Sequence, residues 1–115
     1  MRLMNVSRAF RATLWWIVAG TEGGKTRAKI VLRLKERPMN ANQLADYLKM
    51  DYKTIRYHLK LLKDNKLVES TGGDYGSMYF LTSKLESNFH VLQEIWEKIT
   101  KENDNTTTDV KGGGV

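Results

Sequence analysis

The sequence contains no cysteine, a single proline and two histidines. Without cysteine the chain has no disulfide, no thiol nucleophile and no thiolate ligand for a metal. The longest charge-free run near the N-terminus, Ala12–Thr21, is too short to span a bilayer. Three arginines before Leu14–Ala19 imitate a signal peptide, but this apolar stretch is short, rich in tryptophan and followed directly by a basic region. We therefore expect a cytoplasmic protein without a membrane segment.

Acidic residues are scarce in the first part of the chain. Residues 1–66 hold 15 Lys and Arg against 5 Asp and Glu, a net charge of +10, whereas residues 67–115 hold 4 against 8, a net charge of −4. A basic N-terminal part and an acidic C-terminal part favour a directed interaction with a polyanion over unspecific association. The length of 115 residues suits one domain with a modest core.

A helix predicted over residues 51–64 combines an apolar stripe with a basic outer face. Asp51 can cap its first turn. Ile55, Leu59 and Leu62 recur at spacings of four and three, which places them on one side. The other sides carry basic and hydrogen-bonding residues: Lys53, Thr54, Arg56, Tyr57, Lys60 and Lys63. Such a helix suits the major groove of DNA, although, taken alone, the pattern also describes an ordinary amphipathic surface helix.

The residues before this helix favour the DNA-binding interpretation. The sequence predicts a helix over 24–36 that is stopped by Pro38, and then a short helix from a capping asparagine, Asn40, to Leu48. Lys49-Met50 forms a tight turn between the short helix and the basic helix. A helix, a short turn and an amphipathic basic helix make a helix-turn-helix.

The residues after the basic helix predict a β-hairpin. Apolar strands at 67–70 and 78–81 flank a glycine-rich loop. A hairpin directly after a helix-turn-helix is the wing of a winged-helix domain. This wing lacks Lys and Arg and carries Asp74, so that its contact with phosphate would depend on backbone amides, Tyr75 and Ser77.

Both ends of the chain predict apolar helices. The N-terminal helix, 3–19, ends in a tryptophan pair, and the C-terminal helix, 83–102, has an apolar seam with heptad spacing. Either helix could pack on its own domain, but aromatic side chains are enriched at subunit interfaces. We therefore expect a homodimer that is formed by both helices, through Phe10, Leu14, Trp15, Ile17, Phe89, Leu92, Trp96 and Ile99.

These elements predict a mainly α fold with a small β-hairpin (α+β), a winged helix-turn-helix with N- and C-terminal dimerisation helices. Residues 1–102 would form this single domain, with the winged-helix core over 24–82. Residues 103–115 contain few apolar side chains and are expected to be disordered.

One stretch offers a different function. Residues 19–26 read A-G-T-E-G-G-K-T and satisfy a relaxed phosphate-loop pattern. The first glycine of the stricter pattern is replaced by Ala19, however, and no later apolar strand ends in an aspartate that could hold magnesium. The chain is also too short for the usual parallel sheet. We expect a turn between two helices instead, with neither enzymatic activity nor a cofactor.

With these elements placed, the chain resembles the ArsR-like winged helix-turn-helix regulators, in particular a widespread archaeal branch of them. The resemblance covers about residues 14–82 and implies a dimeric repressor or activator that binds an inverted repeat. It also removes the phosphate-loop hypothesis, because the same glycine-rich turn looks like a family feature. The matching residues are Trp15-Trp16, Ala19-Gly20-Thr21, Gly23-Gly24, Arg27, Asn40–Ala45, Asp51–Leu59 and Tyr79–Thr82.

The chain departs from the founding metal sensors of this family. Those proteins use cysteines before the recognition helix, or His and acidic ligands on the last helix. Here His90 and Glu94 lie one turn apart without a third ligand, so we expect no metal and no small-molecule effector. His58 is more typical of a residue that orients the helix or reaches a phosphate.

The resulting prediction is a sequence-specific regulator of transcription that binds double-stranded DNA. The first turns of a recognition helix reach the bases, and we expect Arg56 to read a guanine edge while Lys60 contacts the backbone. The complete set of expected DNA contacts is Asn42, Gln43, Lys49, Tyr52, Lys53, Thr54, Arg56, Tyr57, His58, Lys60, Lys63, Tyr75 and Ser77. The alternative is a winged-helix module that binds protein in a transcription assembly, which a charge-poor wing would allow.

Overall fold

The structure, a computed structural model, describes residues 7–72 and 76–114, with side chains as far as Lys101. Most of the described residues are helical, and the three short strands form one small sheet. In chain order the elements are α1 (Arg8–Val18), α2 (Gly24–Glu36), β1 (Met39–Asn40), α3 (Ala41–Leu48), α4 (Tyr52–Asp64), β2 (Val68–Ser70), β3 (Met78–Leu81), α5 (Ser83–Ser87) and α6 (Phe89–Gly114).

Local capping signals set the start of each helix in the helix-turn-helix. The Asn40 side chain accepts from the Gln43 amide at 2.8 Å, and the Gln43 side chain accepts from the Asn40 amide at 2.9 Å, which is a reciprocal capping box. Asp51 Oδ2 accepts from the Thr54 amide at 3.0 Å. Lys49, with φ 58°, ends α3 in the left-handed conformation. The predicted helix-turn-helix is therefore present with nearly the predicted bounds.

The sheet has three antiparallel strands in the order β1–β3–β2. β2 and β3 form the predicted hairpin, with Val68 opposite Leu81. β1 is not predicted by the sequence, because two residues between Pro38 and a helix cap are too few to show alternation. Its pairing of Met39 with Tyr79 ties the start of α3 to the base of the wing.

The terminal helices differ from the predicted ranges. Ser7 caps α1 by accepting from the Phe10 amide, so the helix begins at Arg8 within the described residues, and residues 3–6 lie outside them. The predicted C-terminal helix is divided at Asn88, whose side chain donates to the Lys84 carbonyl at 2.9 Å and competes with the helical hydrogen bonds. α6 continues to Gly114, where the sequence predicts disorder over 103–115. This segment contains no proline, and extending an existing helix needs no new nucleation.

The core lies where α1, α2, α4, α5 and α6 meet. Leu14, Ile30, Leu59 and Leu92, from four of these helices, each have 0% of their surface exposed. Burial of such side chains is the main source of stability in a domain of this size. Helix α4 therefore rests on the same core that holds the two terminal helices.

None of the helices that the structure describes combines the length and the apolar character needed to cross a lipid bilayer.

Candidate nucleic-acid interface

The outer face of α4 presents a row of basic and aromatic side chains. Ile55, Leu59 and Leu62 are fully buried on the inner side, as the apolar spacing predicts. The opposite side exposes five of the predicted contact residues: Lys53, Arg56, Tyr57, Lys60 and Lys63. A rigid helix with one buried and one basic face has the dimensions of an element that enters a major groove.

Arg56 is held in place by the residue one turn before it. One terminal nitrogen of its guanidinium donates to the Tyr52 hydroxyl at 2.9 Å, and the guanidinium carbon lies 5.7 Å from the centre of the Tyr52 ring. A guanidinium fixed in this way loses less conformational freedom when it forms hydrogen bonds to a base.

The lysines of the face make only exposed contacts. Lys60 Nζ lies 3.2 Å from Asp64 Oδ2, a surface pair that contributes little to stability and can be exchanged for a phosphate. Lys63 Nζ donates to Ser70 Oγ on β2 at 2.9 Å.

Thr54 is half-buried, and its hydroxyl donates to the capping carboxylate of Asp51 at 3.2 Å. Thr54 therefore belongs to the helix cap as much as to the outer face.

The start of α3 and the base of the wing flank this face. A small cleft is lined by Asn42 and by Arg56, Tyr52, Ser77 and Tyr79. The predicted contacts Asn42, Gln43 and Lys49 are all exposed, although the side-chain oxygen Oε1 of Gln43 already accepts from the Asn40 amide in the capping box. The structure thus brings Asn42 of α3 close to Tyr52 and Arg56 of α4.

Two predicted contact residues are placed differently. His58 is only 6% exposed and its Nδ1 lies 3.0 Å from a guanidinium nitrogen of Arg27, so its ring faces the interior and not a phosphate. Ser77 is buried as well, and its hydroxyl donates to the Gly72 carbonyl at 2.6 Å, which stabilises the wing itself. Tyr75 lies outside the described residues.

The glycine-rich turn joins two helices, which contradicts the phosphate-loop hypothesis, because such a loop follows a strand. Two of its glycines, Gly23 and Gly24, are required by packing. A Cβ at Gly24 would lie 2.5 Å from the Val18 carbonyl oxygen, and a Cβ at Gly23 would lie 2.8 Å from the His58 ring. Gly23 also has a positive φ of 84°, which favours glycine. The turn therefore brings α1, α2 and α4 close together.

Most of the predicted dimerisation residues belong to the core of a single chain. Burial within the chain itself covers Phe10, Leu14, Ile17, Phe89 and Leu92. The apolar faces of α1 and α6 pack against the rest of the same chain. These five side chains therefore offer no surface to a second copy. Trp96 and Ile99 are half-buried. Trp15 is exposed, as the dimer hypothesis requires, and so is the neighbouring Trp16.

The exposed tryptophans line a groove between α1 and α6. Trp15 and Trp16 are 46% and 49% exposed, and the groove has a volume of about 1150 Å³. Ala12 and Ile95 add to its apolar floor, and charged residues of both signs surround it: Arg11, Glu94, Glu97, Lys98 and Lys101. Across this rim Arg11 lies 3.6 Å from Glu94.

Over the residues with described side chains, no group of three or more His, Asp or Glu side chains is arranged to hold a metal ion. Glu94, one of the two potential ligands on the last helix, lies beside Arg11.

Comparison with known proteins identifies the helix-turn-helix. Residues 24–70 match the sequence profile of the family described as bacterial regulatory protein, arsR family. This segment runs from the start of α2 to the end of β2 and contains α3 and α4. No curated protein matches the sequence.

Three solved structures share the fold. HlyU from Vibrio cholerae, in its reduced form, is 19% identical, with 79% of this chain and 90% of that chain covered and a TM-score of 0.57. An ArsR-like transcriptional regulator from Rhodococcus sp. RHA1 is 24% identical, with 90% and 92% covered and a TM-score of 0.56. A homodimeric winged helix-turn-helix DNA-binding domain from Mycobacterium bovis, described as a possible ArsR-family regulator, is 18% identical, with 82% and 88% covered and a TM-score of 0.59.

The chain therefore has a winged helix-turn-helix fold, and its residues 24–70 are similar to the arsR family of bacterial regulatory proteins.

Proposed function

We propose that the protein is a transcriptional regulator that binds a specific double-stranded DNA sequence as a homodimer, with α4 in the major groove of each half-site. The observation that carries the proposal is the outer face of α4, where Lys53, Arg56, Tyr57 and Lys60 are exposed together. The start of α3 and the base of the wing lie on either side of this face, where the phosphates that border a groove would pass. We propose that the protein acts in the cytoplasm. Its resemblance to the archaeal branch of the family rests on the sequence motifs alone.

Arg56 is the residue that we propose to read a base. Its planar guanidinium matches the two acceptors that guanine presents in the major groove, and the bond to Tyr52 holds it near the start of the helix. Lys60 lies one turn further on and is highly exposed, which suits a contact with the DNA backbone.

Replacement of Arg56 by alanine is expected to weaken binding to the preferred sequence by about 1–3 kcal/mol and to reduce the preference at one base pair of each half-site. Fluorescence anisotropy with the preferred duplex and with duplexes changed at single positions measures both effects. The matched control is Lys60→Ala, which should weaken all duplexes alike. Equal effects of the two substitutions on every duplex would contradict the assignment of Arg56.

We propose the groove between α1 and α6 as the surface that meets the second copy. Exposed tryptophan pairs are enriched at interfaces, and a two-fold interface brings the same residues of both copies together. A rim that carries both signs of charge can then pair with itself, for example Arg11 and Lys98 with Glu94 and Glu97 of the other copy. Two recognition helices related by this symmetry would read an inverted repeat.

The dependence of binding on salt tests the DNA-binding function. Each copy exposes several lysines and arginines around α4, and every neutralised phosphate releases a counterion. The affinity of the protein for duplex DNA should therefore fall about a thousandfold or more between about 50 and 200 mM salt. Undetectable binding at the lower concentration would contradict the proposal and favour a winged-helix module that binds another protein.

A further inference from the structure

A buried arginine connects the end of α1 to the recognition helix. Arg27 of α2 is 1% exposed, and all three nitrogens of its guanidinium take part in hydrogen bonds. Nε donates to the Ile17 carbonyl at 2.9 Å. One terminal nitrogen donates to the Glu22 carbonyl at 3.0 Å and to the Thr21 hydroxyl, while the other contacts His58 Nδ1 at 3.0 Å. A single side chain thus joins α1, the α1–α2 turn and α4.

The chemistry of this contact fixes the state of His58. Arginine can only donate, so Nδ1 of His58 must carry the lone pair, and the proton of the neutral ring must lie on Nε2. Among the described residues, the hydrogen-bond partners of Arg27 are uncharged: two carbonyls, one hydroxyl and one imidazole. A buried guanidinium without a carboxylate depends on all of its acceptors. Loss of the imidazole acceptor would leave a buried donor unpaired.

The position of His58 couples the interior to the DNA-binding face. His58 follows Tyr57, whose side chain is 62% exposed on that face, and the two rings meet edge-on at 5.2 Å. On the inner side, the ring packs closely on the turn, since a Cβ at Gly23 would lie 2.8 Å from it. His58 therefore links the turn between α1 and α2 to the helix that presents Tyr57.

We propose that Arg27 and His58 form a positioning pair, which fixes the orientation of the recognition helix relative to α1 through their hydrogen bond. The inference rests on the proposed function and adds to it. Helix α1 also lines the proposed dimer surface. By fixing α4 relative to α1, the pair would make the distance between the two recognition helices depend on how the two copies associate. Neither residue touches DNA in this arrangement.

Protonation of His58 is the natural probe of the pair. Burial first, and then the adjacent Arg27, lower the pKa of His58 below its ordinary value of 6.5. Among the described residues, the charged or titratable groups in contact with it are Arg27 of α2 and Tyr57 of α4. Protonation would convert the Nδ1 acceptor into a donor and place two positive charges 3.0 Å apart, which breaks the contact.

The sign of the pH effect follows from the lowered pKa. Below the ordinary pKa the unfolded chain binds a proton that the folded His58 resists, so the free energy of unfolding decreases as the pH falls. Binding to DNA should decrease as well, once His58 is protonated in the folded protein and α4 is released from Arg27.

The test compares the affinity of the full chain for its preferred duplex at about pH 8 and at the lowest pH at which circular dichroism shows a folded chain. His58→Asn keeps an acceptor near the Nδ1 position and cannot be protonated. We expect it to bind like the wild type at the higher pH and to lose less affinity than the wild type on acidification. His90→Asn, which replaces an exposed histidine on α6, should keep the wild-type pH profile, and His58→Leu should bind weakly at both pH values.

Two results would overturn the positioning role: an identical pH profile for the wild type and His58→Asn, or wild-type affinity for His58→Leu. Either result would leave the proposed function intact, since the wild type would still bind DNA at the higher pH. Failure of the wild type to bind any duplex at that pH would instead refute the proposed function and this inference together.

Discussion

Replacement of Trp15 and Trp16 together by glutamate should yield a folded monomer that binds the preferred duplex on the order of a hundredfold more weakly. Both side chains are about half exposed in the single chain, so the domain does not need them for its own core. In a dimer they would be covered, and carboxylates at these positions would be buried without partners and would repel one another. Binding would suffer because a monomer contacts one half-site instead of two.

Sedimentation equilibrium and fluorescence anisotropy measure the two parts of this prediction. Replacement of the same two residues by phenylalanine is the matched control, because it keeps the aromatic surface and should leave both the dimer and the affinity nearly unchanged. A glutamate variant that remains dimeric would show that the groove between α1 and α6 is not the interface. A monomeric variant with full affinity would show that dimerisation contributes nothing to binding.

Replacement of Gly24 by alanine should destabilise the fold by about 3 kcal/mol. The new Cβ would lie 2.5 Å from the carbonyl oxygen and 2.7 Å from the carbonyl carbon of Val18. These are backbone atoms in the last turn of α1, which cannot rotate away as a side chain can. The start of α2 must therefore move, and the hydrogen bond from Arg27 to the Ile17 carbonyl would be strained at the same time.

Urea denaturation followed by circular dichroism measures this loss. Gly20→Ala is the control in the same turn, because its Cβ would lie 3.3 Å from the nearest atom and Gly20 has no positive φ. We expect a change of less than about 1 kcal/mol for the control. Equal stability of Gly24→Ala and the wild type would show that α2 does not pack as closely on α1 as the structure places it.

The sequence predicts the helix-turn-helix well because its signals are local. Gly23 and Pro38 bracket α2, and Asn40 and Asp51 cap the two helices that follow, so each boundary is encoded within a few residues. β1 and the division at Asn88 are not predictable in this way. The first consists of two residues that need Tyr79 and its neighbour as partners, and the second is a single side-chain bond within an otherwise helical pattern.

The candidate sites were harder to predict, because periodicity identifies a buried face but not what covers it. The seam that contains Leu14 and Leu92 suits a dimer and an internal core equally well, and the structure assigns it to the core. The spacing of Arg27 and His58 from neighbouring apolar residues places both on the buried faces of their helices. Arg27 precedes Ile30, Val31 and Leu34 at helical spacing, and His58 follows Ile55 by three residues on the buried stripe of α4. Arginine is mostly found at the surface and histidine is intermediate, so a prediction based on residue type alone does not assign them to the buried faces.

The most direct test of the proposed function is selection of bound sequences from a pool of randomised duplexes with the purified protein. We expect enrichment of an inverted repeat whose two half-sites lie about one helical turn apart, near 10 base pairs, with a guanine in each half-site whose enrichment is lost with Arg56→Ala. A pool that remains random after selection, or that yields only isolated half-sites, would contradict sequence-specific binding by a homodimer.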